Sequence, residues 1–109
     1  MPTAKLVVLY PNPKDPAAFE SAYKNEHLPM VNNKTMPGLR KFIETKIVGM
    51  TDGSKPPYAK IAELHFDSIE ALMAFAGTEG AKKGMEHAIS ISSGGTPVLM
   101  VAQEEAMTF

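Results

Sequence analysis

The stretch DPAAFESAYKNEHLP, residues 15–29, predicts a helix that carries a row of ring-bearing side chains. Its first residue, Asp15, can cap the free backbone N–H groups of the first turn, and the proline that follows loses no hydrogen bond at the first helical position. Phe19, Tyr23 and His27 recur at every fourth position, so they share one side of this helix. The helix is predicted to continue to about residue 33, with a bend at Pro29.

The rest of the chain divides into short apolar segments separated by residues that favour turns. An apolar run at residues 6–10 ends in prolines, and the segments 39–50 and 58–66 flank a turn-rich stretch. These segments predict a strand and a β-hairpin, and residues 96–103 predict a last strand. With two helices, the order is strand, helix, strand, strand, helix, strand, which is typical of an α+β sandwich of the ferredoxin-like kind.

The second helix is predicted to begin near residue 68, where Asp67 and Ser68 are alternative capping residues. Three glycines at residues 77, 80 and 84 follow, and each glycine lowers helix stability by about 1 kcal/mol. We therefore expect residues 78–91 to form a broken or second short helix. His87 lies in this stretch and is expected to face solvent.

The first and last strands contain runs that are apolar on both faces, at residues 7–9 and 98–101. Two helices can cover only one face of a four-stranded sheet, so the other face needs a cover of its own. The same sheet of a second copy would supply it, and two-fold dimers are the commonest homo-oligomers. We therefore predict a homodimer with its two sheets face to face.

The composition of the 109 residues excludes several functional classes. The formal net charge is −1, with 11 basic and 12 acidic residues dispersed along the chain, so there is no basic surface for nucleic acid. No cysteine is available for a disulfide or a zinc–thiolate site, and no segment approaches the roughly 20 apolar residues of a membrane span. We expect one soluble cytoplasmic domain over residues 1–109, with no nucleic-acid or membrane partner.

The N-terminal two-thirds of the chain resembles the EthD family of the dimeric α+β barrel superfamily. The resemblance rests on the pattern F-x3-Y-x3-H-x-P at residues 19–29, on P-G-L at 37–39, and on L-Y-P at 9–11 followed by Asp15. It implies a ferredoxin-like homodimer that binds a small, mainly hydrophobic organic molecule. Relatives in the superfamily include muconolactone isomerases, polyketide cyclases and cofactor-free monooxygenases, and the family name comes from a gene cluster that degrades an ether fuel additive.

His27 is the leading candidate for a catalytic residue, as a general base or acid at the edge of an apolar pocket. The alternative is a structural histidine satisfied by a carbonyl at a helix end. Tyr23 and Tyr10 are candidates to orient a substrate and Phe19 to line the pocket, although aromatics at helical spacing also serve as core. His65 is a candidate second substrate-binding group or, as the alternative, a residue of the dimer interface.

No metal or cofactor is expected. The histidines lack metal-ligand spacing on one helix, no glycine loop resembles a phosphate cradle, and no serine has the context of a nucleophile. Two functional hypotheses remain. One is a cofactor-independent isomerase, cyclase or oxygenase of a catabolic pathway, for example in xenobiotic degradation. The other is a non-catalytic ligand-binding or auxiliary protein of such a pathway.

Overall fold

The four strands within residues 3–109 form one antiparallel sheet in the order β2-β3-β1-β4, as the ferredoxin-like prediction requires. The structure is a computed structural model that describes residues 3–109. Its elements in chain order are β1 (Thr3–Pro11), α1 (Pro16–Ala22), a π-helical turn (Tyr23–His27), a 3-10 turn (Leu28–Met30), β2 (Lys41–Lys46), β3 (Tyr58–Phe66), α2 (Ile69–Ala76), α3 (Glu79–Ile91) and β4 (Val98–Glu104).

The side chains of each strand alternate between the two faces of this sheet. One face packs beneath the helices and carries the buried residues Ala4, Val8, Tyr10, Ala62, Leu64 and Phe66. The helices leave the opposite face uncovered, and we call it the open face. By strand register it carries Lys5, Val7, Leu9, Ile43, Ile61, Glu63, His65, Val98, Met100 and Glu104.

The first helix begins as predicted and then changes its geometry before the proline. The Asp15 carboxylate accepts a hydrogen bond of 3.1 Å from the Ala18 N–H, and Pro16 is the first helical residue. From Tyr23 the helix widens, and the Leu28 N–H bonds to the Tyr23 carbonyl five residues earlier. A proline has no N–H to donate and its ring crowds the carbonyl four residues before it, so a wider turn accommodates Pro29. The helical region ends at Met30 rather than near residue 33.

Helix α3 is continuous, so of the two expected forms, a broken helix or a second short helix, the structure shows a separate second helix. Ser68 and not Asp67 caps α2, and the only break lies at Gly77 and Thr78, where Thr78 caps α3. A side chain at Gly80 would place its Cβ 1.8 Å from the Thr35 carbonyl oxygen. The absence of a side chain at Gly80 therefore allows α3 to pack closely against the loop that contains Thr35. This packing outweighs the low helix propensity of glycine.

The remaining boundaries follow the predictions with small shifts. Strand β3 has the predicted bounds, whereas β2 is shorter than the predicted 39–50 and β4 begins two residues later than expected. None of the helices within residues 3–109 combines the length and the apolar composition that crossing a membrane requires.

Candidate functional site

A cavity of about 270 Å³ lies between the helix-covered face of the sheet and helices α2 and α3. Its wall is apolar except for Tyr10, His27 and Lys82. Met73 and Met85 also line it and are exposed, as is Lys82, so these residues mark its mouth. The other lining residues are Leu6, Val8, Val31, Met36, Phe42, Ala62, Leu64, Leu72, Phe75, Ala76, Ala81, Gly84, Ala88, Leu99 and Val101.

His27 is the last residue of the π-helical turn and brings an imidazole into the cavity wall. Its side chain is buried, with 7% of the residue exposed. Burial lowers the pKa of His27 from its usual 6.5 to about 4, and the charges of His87 and Lys60 contribute to a smaller extent. The imidazole is therefore neutral near pH 7, where it offers one proton donor and one acceptor.

The His87 ring of α3 faces the His27 ring edge to edge, with 5.1 Å between ring centres and 10° between ring planes. The two Nδ1 atoms are 2.9 Å apart, so one ring donates a hydrogen bond to the other. On its far side, His87 Nε2 lies 3.4 Å from a carboxylate oxygen of Glu26. The expectation that His87 faces solvent was wrong, because the continuous α3 carries this side chain against the π-helical turn and leaves it 20% exposed.

Tyr10, Phe19 and Tyr23 form an aromatic cluster next to His27, with ring centres 5.4–5.9 Å apart. The Tyr23 ring lies 5.2 Å from the His27 ring. Only Tyr10 of these three lines the cavity, whereas Phe19 and Tyr23 are buried beside it. Burial raises the pKa of both tyrosine hydroxyls, so they stay protonated at all physiological pH values. The Tyr23 hydroxyl is buried without a hydrogen-bond partner among the described residues.

Lys60 is buried beneath this cluster although it is a lysine, with 1% of the residue exposed. Its ammonium lies 3.8 Å from the centre of the Tyr23 ring, a cation–π distance. The same ammonium donates hydrogen bonds to the carboxylates of Glu20, at 3.0 Å, and Glu44. This pairing allows a positive charge to be buried within reach of His27.

His65 is not brought to the cavity, because it lies on the open face of the sheet. Its Nε2 lies 3.2 Å from Glu63, and the Lys5 ammonium bonds to Glu63 at 2.8 Å and to Glu104 at 3.0 Å. Lys5 also lowers the pKa of both carboxyl groups, mainly through these hydrogen bonds. Glu63, His65 and Glu104 have ligand atoms within 4.8 Å of one another, and the Lys5 ammonium is bonded to both carboxylates of this group.

The model of one family, the EthD domain, matches residues 12–89. The chain belongs to the EthD family. An uncharacterised 11.0 kDa protein from the thcB–thcC intergenic region of Rhodococcus erythropolis is 33% identical over 104 residues, covering 94% of this chain and 97% of that protein.

Solved structures with similar folds include an EthD family protein from Bacillus halodurans. It is 31% identical, covers 94% of this chain and 99% of its own, and superposes with a TM-score of 0.84. A dimeric ferredoxin-like protein from Jannaschia is 17% identical and covers 97% of this chain and all of its own, with a TM-score of 0.65. The latter likeness concerns the fold alone.

Of the candidates named from the sequence, His27 and Tyr10 lie in the cavity wall, whereas Glu26, Lys60 and His87 were not among those candidates. The alternation of β3 places Lys60 on the same face as its buried apolar neighbours, which is a usable signal for a buried charge. His87 had no comparable signal, because its position depends on the close packing of a glycine-containing helix.

Proposed function

We propose that this EthD family protein binds a small, uncharged, largely apolar organic molecule in the cavity beside His27. The observation that carries this proposal is an apolar cavity of about 270 Å³ with a neutral imidazole in its wall. A cavity of about 150 Å³ holds benzene, so this one has room for a ring with a few substituents. Such a volume is close to the lower end of the range of small-molecule sites, about 300 Å³.

The charge of the ligand follows from the groups in the cavity wall. Burial disfavours a charged His27, and Lys82 is an exposed residue of the cavity wall rather than a buried one. A carboxylate bound in the interior would therefore lose its hydration without gaining a buried partner, which is costly. Neutral ketones, phenols and enols fit this wall better than their anionic analogues.

The proposed chemistry is proton transfer by His27 without a cofactor. A neutral imidazole next to a bound carbonyl compound can remove a proton from the adjacent carbon and return it at another position. This step is common to isomerases and cyclases, and it also generates the electron-rich enolate with which a cofactor-independent oxygenase would begin. The catabolic setting is supported by the name of the Bacillus halodurans relative, an ethyl tert-butyl ether D (EthD) family protein.

A second hypothesis is ligand binding without turnover, as an auxiliary protein of a degradation pathway. The composition of the cavity wall favours this hypothesis, because a wall with few polar groups can bind a ligand but offers few groups for catalysis. Among the described residues that line the cavity, those with polar side chains are Tyr10, His27 and Lys82. The two hypotheses share the cavity and differ in whether His27 moves a proton.

Deuterium exchange into a bound ketone separates these hypotheses without a known substrate. In D₂O, the protein should accelerate exchange at the acetyl group of 4-methylacetophenone and not of 4-acetylbenzoate, its anionic analogue. His27→Gln should abolish the acceleration, whereas His65→Gln, at a buried histidine of the open face, should preserve it. Binding of the neutral ketone without any exchange supports the auxiliary protein, and no binding of either compound contradicts the proposed site.

We also propose that the protein is a homodimer in which the open faces pack together. Val98 and Met100 are 37% and 44% exposed on this face, and Val7, Leu9 and Ile61 extend the apolar surface. A second copy would bury these side chains around the ionic cluster of Lys5, Glu63, His65 and Glu104. Dimers among proteins of this fold support the arrangement.

A further inference from the structure

Three ionisable side chains form a row that leads from solvent to the cavity. Glu26 is exposed, with 65% of its side chain accessible, and lies 3.4 Å from His87 Nε2. His87 Nδ1 lies 2.9 Å from His27 Nδ1, and His27 lines the cavity. The only hydrogen bond of the His27 ring within residues 3–109 is this one, so Nε2 is the nitrogen left for a ligand.

The Glu26 carboxylate, at the solvent end of this row, determines which nitrogen of each histidine carries a hydrogen. An ionised carboxylate only accepts hydrogen bonds, so His87 Nε2 must carry the hydrogen that points to Glu26. A neutral His87 then has a bare Nδ1, which accepts the hydrogen of His27 Nδ1. Burial lowers the pKa of His27 to about 4, so its ring holds a single proton at neutral pH. With that proton on Nδ1, Nε2 is bare.

We infer that Glu26 and His87 are positioning residues that fix the tautomer of His27, so that its unprotonated Nε2 faces the ligand. The same two residues connect His27 to solvent. The inference deepens the proposed function and rests on it for the role of Nε2. A bare imidazole nitrogen is the form that a general base requires. Without the pair, His27 would be free to place its single proton on either nitrogen.

The same row can carry a proton away from the cavity with a balanced set of transfers. His27 Nε2 accepts a proton from the ligand, and the hydrogen on His27 Nδ1 passes to His87 Nδ1. His87 releases its Nε2 hydrogen to the Glu26 carboxylate, which exchanges it with water. One proton enters and one leaves, both rings stay neutral at the end, and the electron pair of the broken C–H bond remains on the ligand as an enolate. The reverse sequence returns a proton to the ligand and restores the resting tautomers.

The other groups that face His27 are compatible with this arrangement. The Tyr23 ring lies 5.2 Å from the His27 ring, and its hydroxyl keeps its proton. The charge of Lys60 opposes protonation of His27, and Lys60 is itself held by the carboxylates of Glu20 and Glu44. Lys60 therefore favours a neutral His27, and neither Lys60 nor Tyr23 is hydrogen-bonded to the His27 ring within residues 3–109.

The tautomers are measured directly by NMR of protein labelled with ¹⁵N in its histidines. The chain has three histidines, so single variants assign the resonances. At pH 7 without ligand, His27 should show a protonated Nδ1 and a bare Nε2, and His87 the opposite. His87→Phe keeps an aromatic ring without an acceptor and should shift His27 towards the other tautomer, whereas His87→Gln, whose amide oxygen accepts, should restore it.

Glu26→Leu and Glu26→Gln repeat the test at an exposed position, where folding is not at risk. The leucine variant should release the tautomer of His87 and the glutamine variant should retain it. A protonated His27 Nε2 in the unaltered protein, or a His27 tautomer that does not respond to His87→Phe and Glu26→Leu, overturns the inference. Ketone exchange that depends on His27 but not on His87 would leave the proposed function intact while contradicting the relay. Correct tautomers without ketone binding would contradict the proposed function alone.

Discussion

The Lys60 ammonium lies 3.8 Å from the centre of the Tyr23 ring, on the side of the molecule that carries the candidate base. The charge acts on His27 through space, because it makes the protonated form of that imidazole less favourable. A buried lysine thus belongs to the electrostatic environment of the cavity although it does not line it.

Replacing Lys60 with methionine should raise the pKa of His27 above its present value of about 4. The increase should stop short of 6.5, because burial is the larger cause and remains. An NMR titration of the His27 ring measures the shift. Lys5→Met removes a charge from the open face and should leave the titration unchanged, and an unaltered pKa in Lys60→Met would show that this charge does not reach His27.

The same variant should change the free energy of unfolding by less than about 1.5 kcal/mol. Glu20 and Glu44 keep 48% and 36% of their side chains accessible, so water can solvate them once the ammonium is gone. Methionine also covers the aromatic surfaces that the lysine stem covers. Urea unfolding measures this change in the free energy of unfolding. A decrease of several kcal/mol would contradict the prediction, because it would mean that the ion pairs of Lys60 contribute strongly to stability.

Stability should fall as the pH is lowered from about 6.5 to 4. His27 has a folded-state pKa of about 4 and an unfolded-state pKa near 6.5, so the unfolded chain binds a proton more readily. Its contribution is complete above pH 6.5 and is lost below it, by roughly 3 kcal/mol at pH 4. Urea unfolding between pH 7.5 and 4 should show a shallower dependence in His27→Gln than in the unaltered protein. Equal slopes would place His27 in a more hydrated environment than the structure gives it.

Gly80→Ala should destabilise the protein by more than about 2 kcal/mol, although alanine favours helices by about 1 kcal/mol. The added Cβ would lie 1.8 Å from the Thr35 carbonyl oxygen, so α3 or the loop must move. Gly84→Ala is the matched control in the same helix, because its Cβ would meet only the flexible end of Met36 at 3.4 Å. Its stability should stay within about 1 kcal/mol of the original. Similar thermal unfolding of the two variants would argue against the close helix–loop contact.

Met100→Asp should convert the proposed dimer to monomers, because it places a charge in the centre of a buried apolar surface. Sedimentation velocity at micromolar concentration measures the mass. Val48→Asp changes a side chain that is 94% exposed outside the strands and should leave the mass unchanged. A monomeric unaltered protein would refute the dimer without affecting the cavity.

Sequence patterns predicted those parts of the fold that depend on local chemistry. Local sequence was sufficient for the cap at Asp15, for the spacing of the aromatic residues on one side of the helix and for the bounds of β3. The π-helical turn was not predictable, since it reflects how one helix accommodates Pro29 within a packed structure. The His27–His87 contact joins residues 60 positions apart, so no local pattern encodes it.

A crystal structure of the protein soaked with 4-methylacetophenone tests the central claim most directly. The account predicts one ligand inside the cavity beneath α2 and α3, with its acetyl methyl carbon within about 3.5 Å of His27 Nε2. The corresponding crystal soaked with 4-acetylbenzoate should have an empty cavity. A ketone bound only on the open face, or a cavity filled by Met73 and Met85 so that no ligand enters, would contradict it.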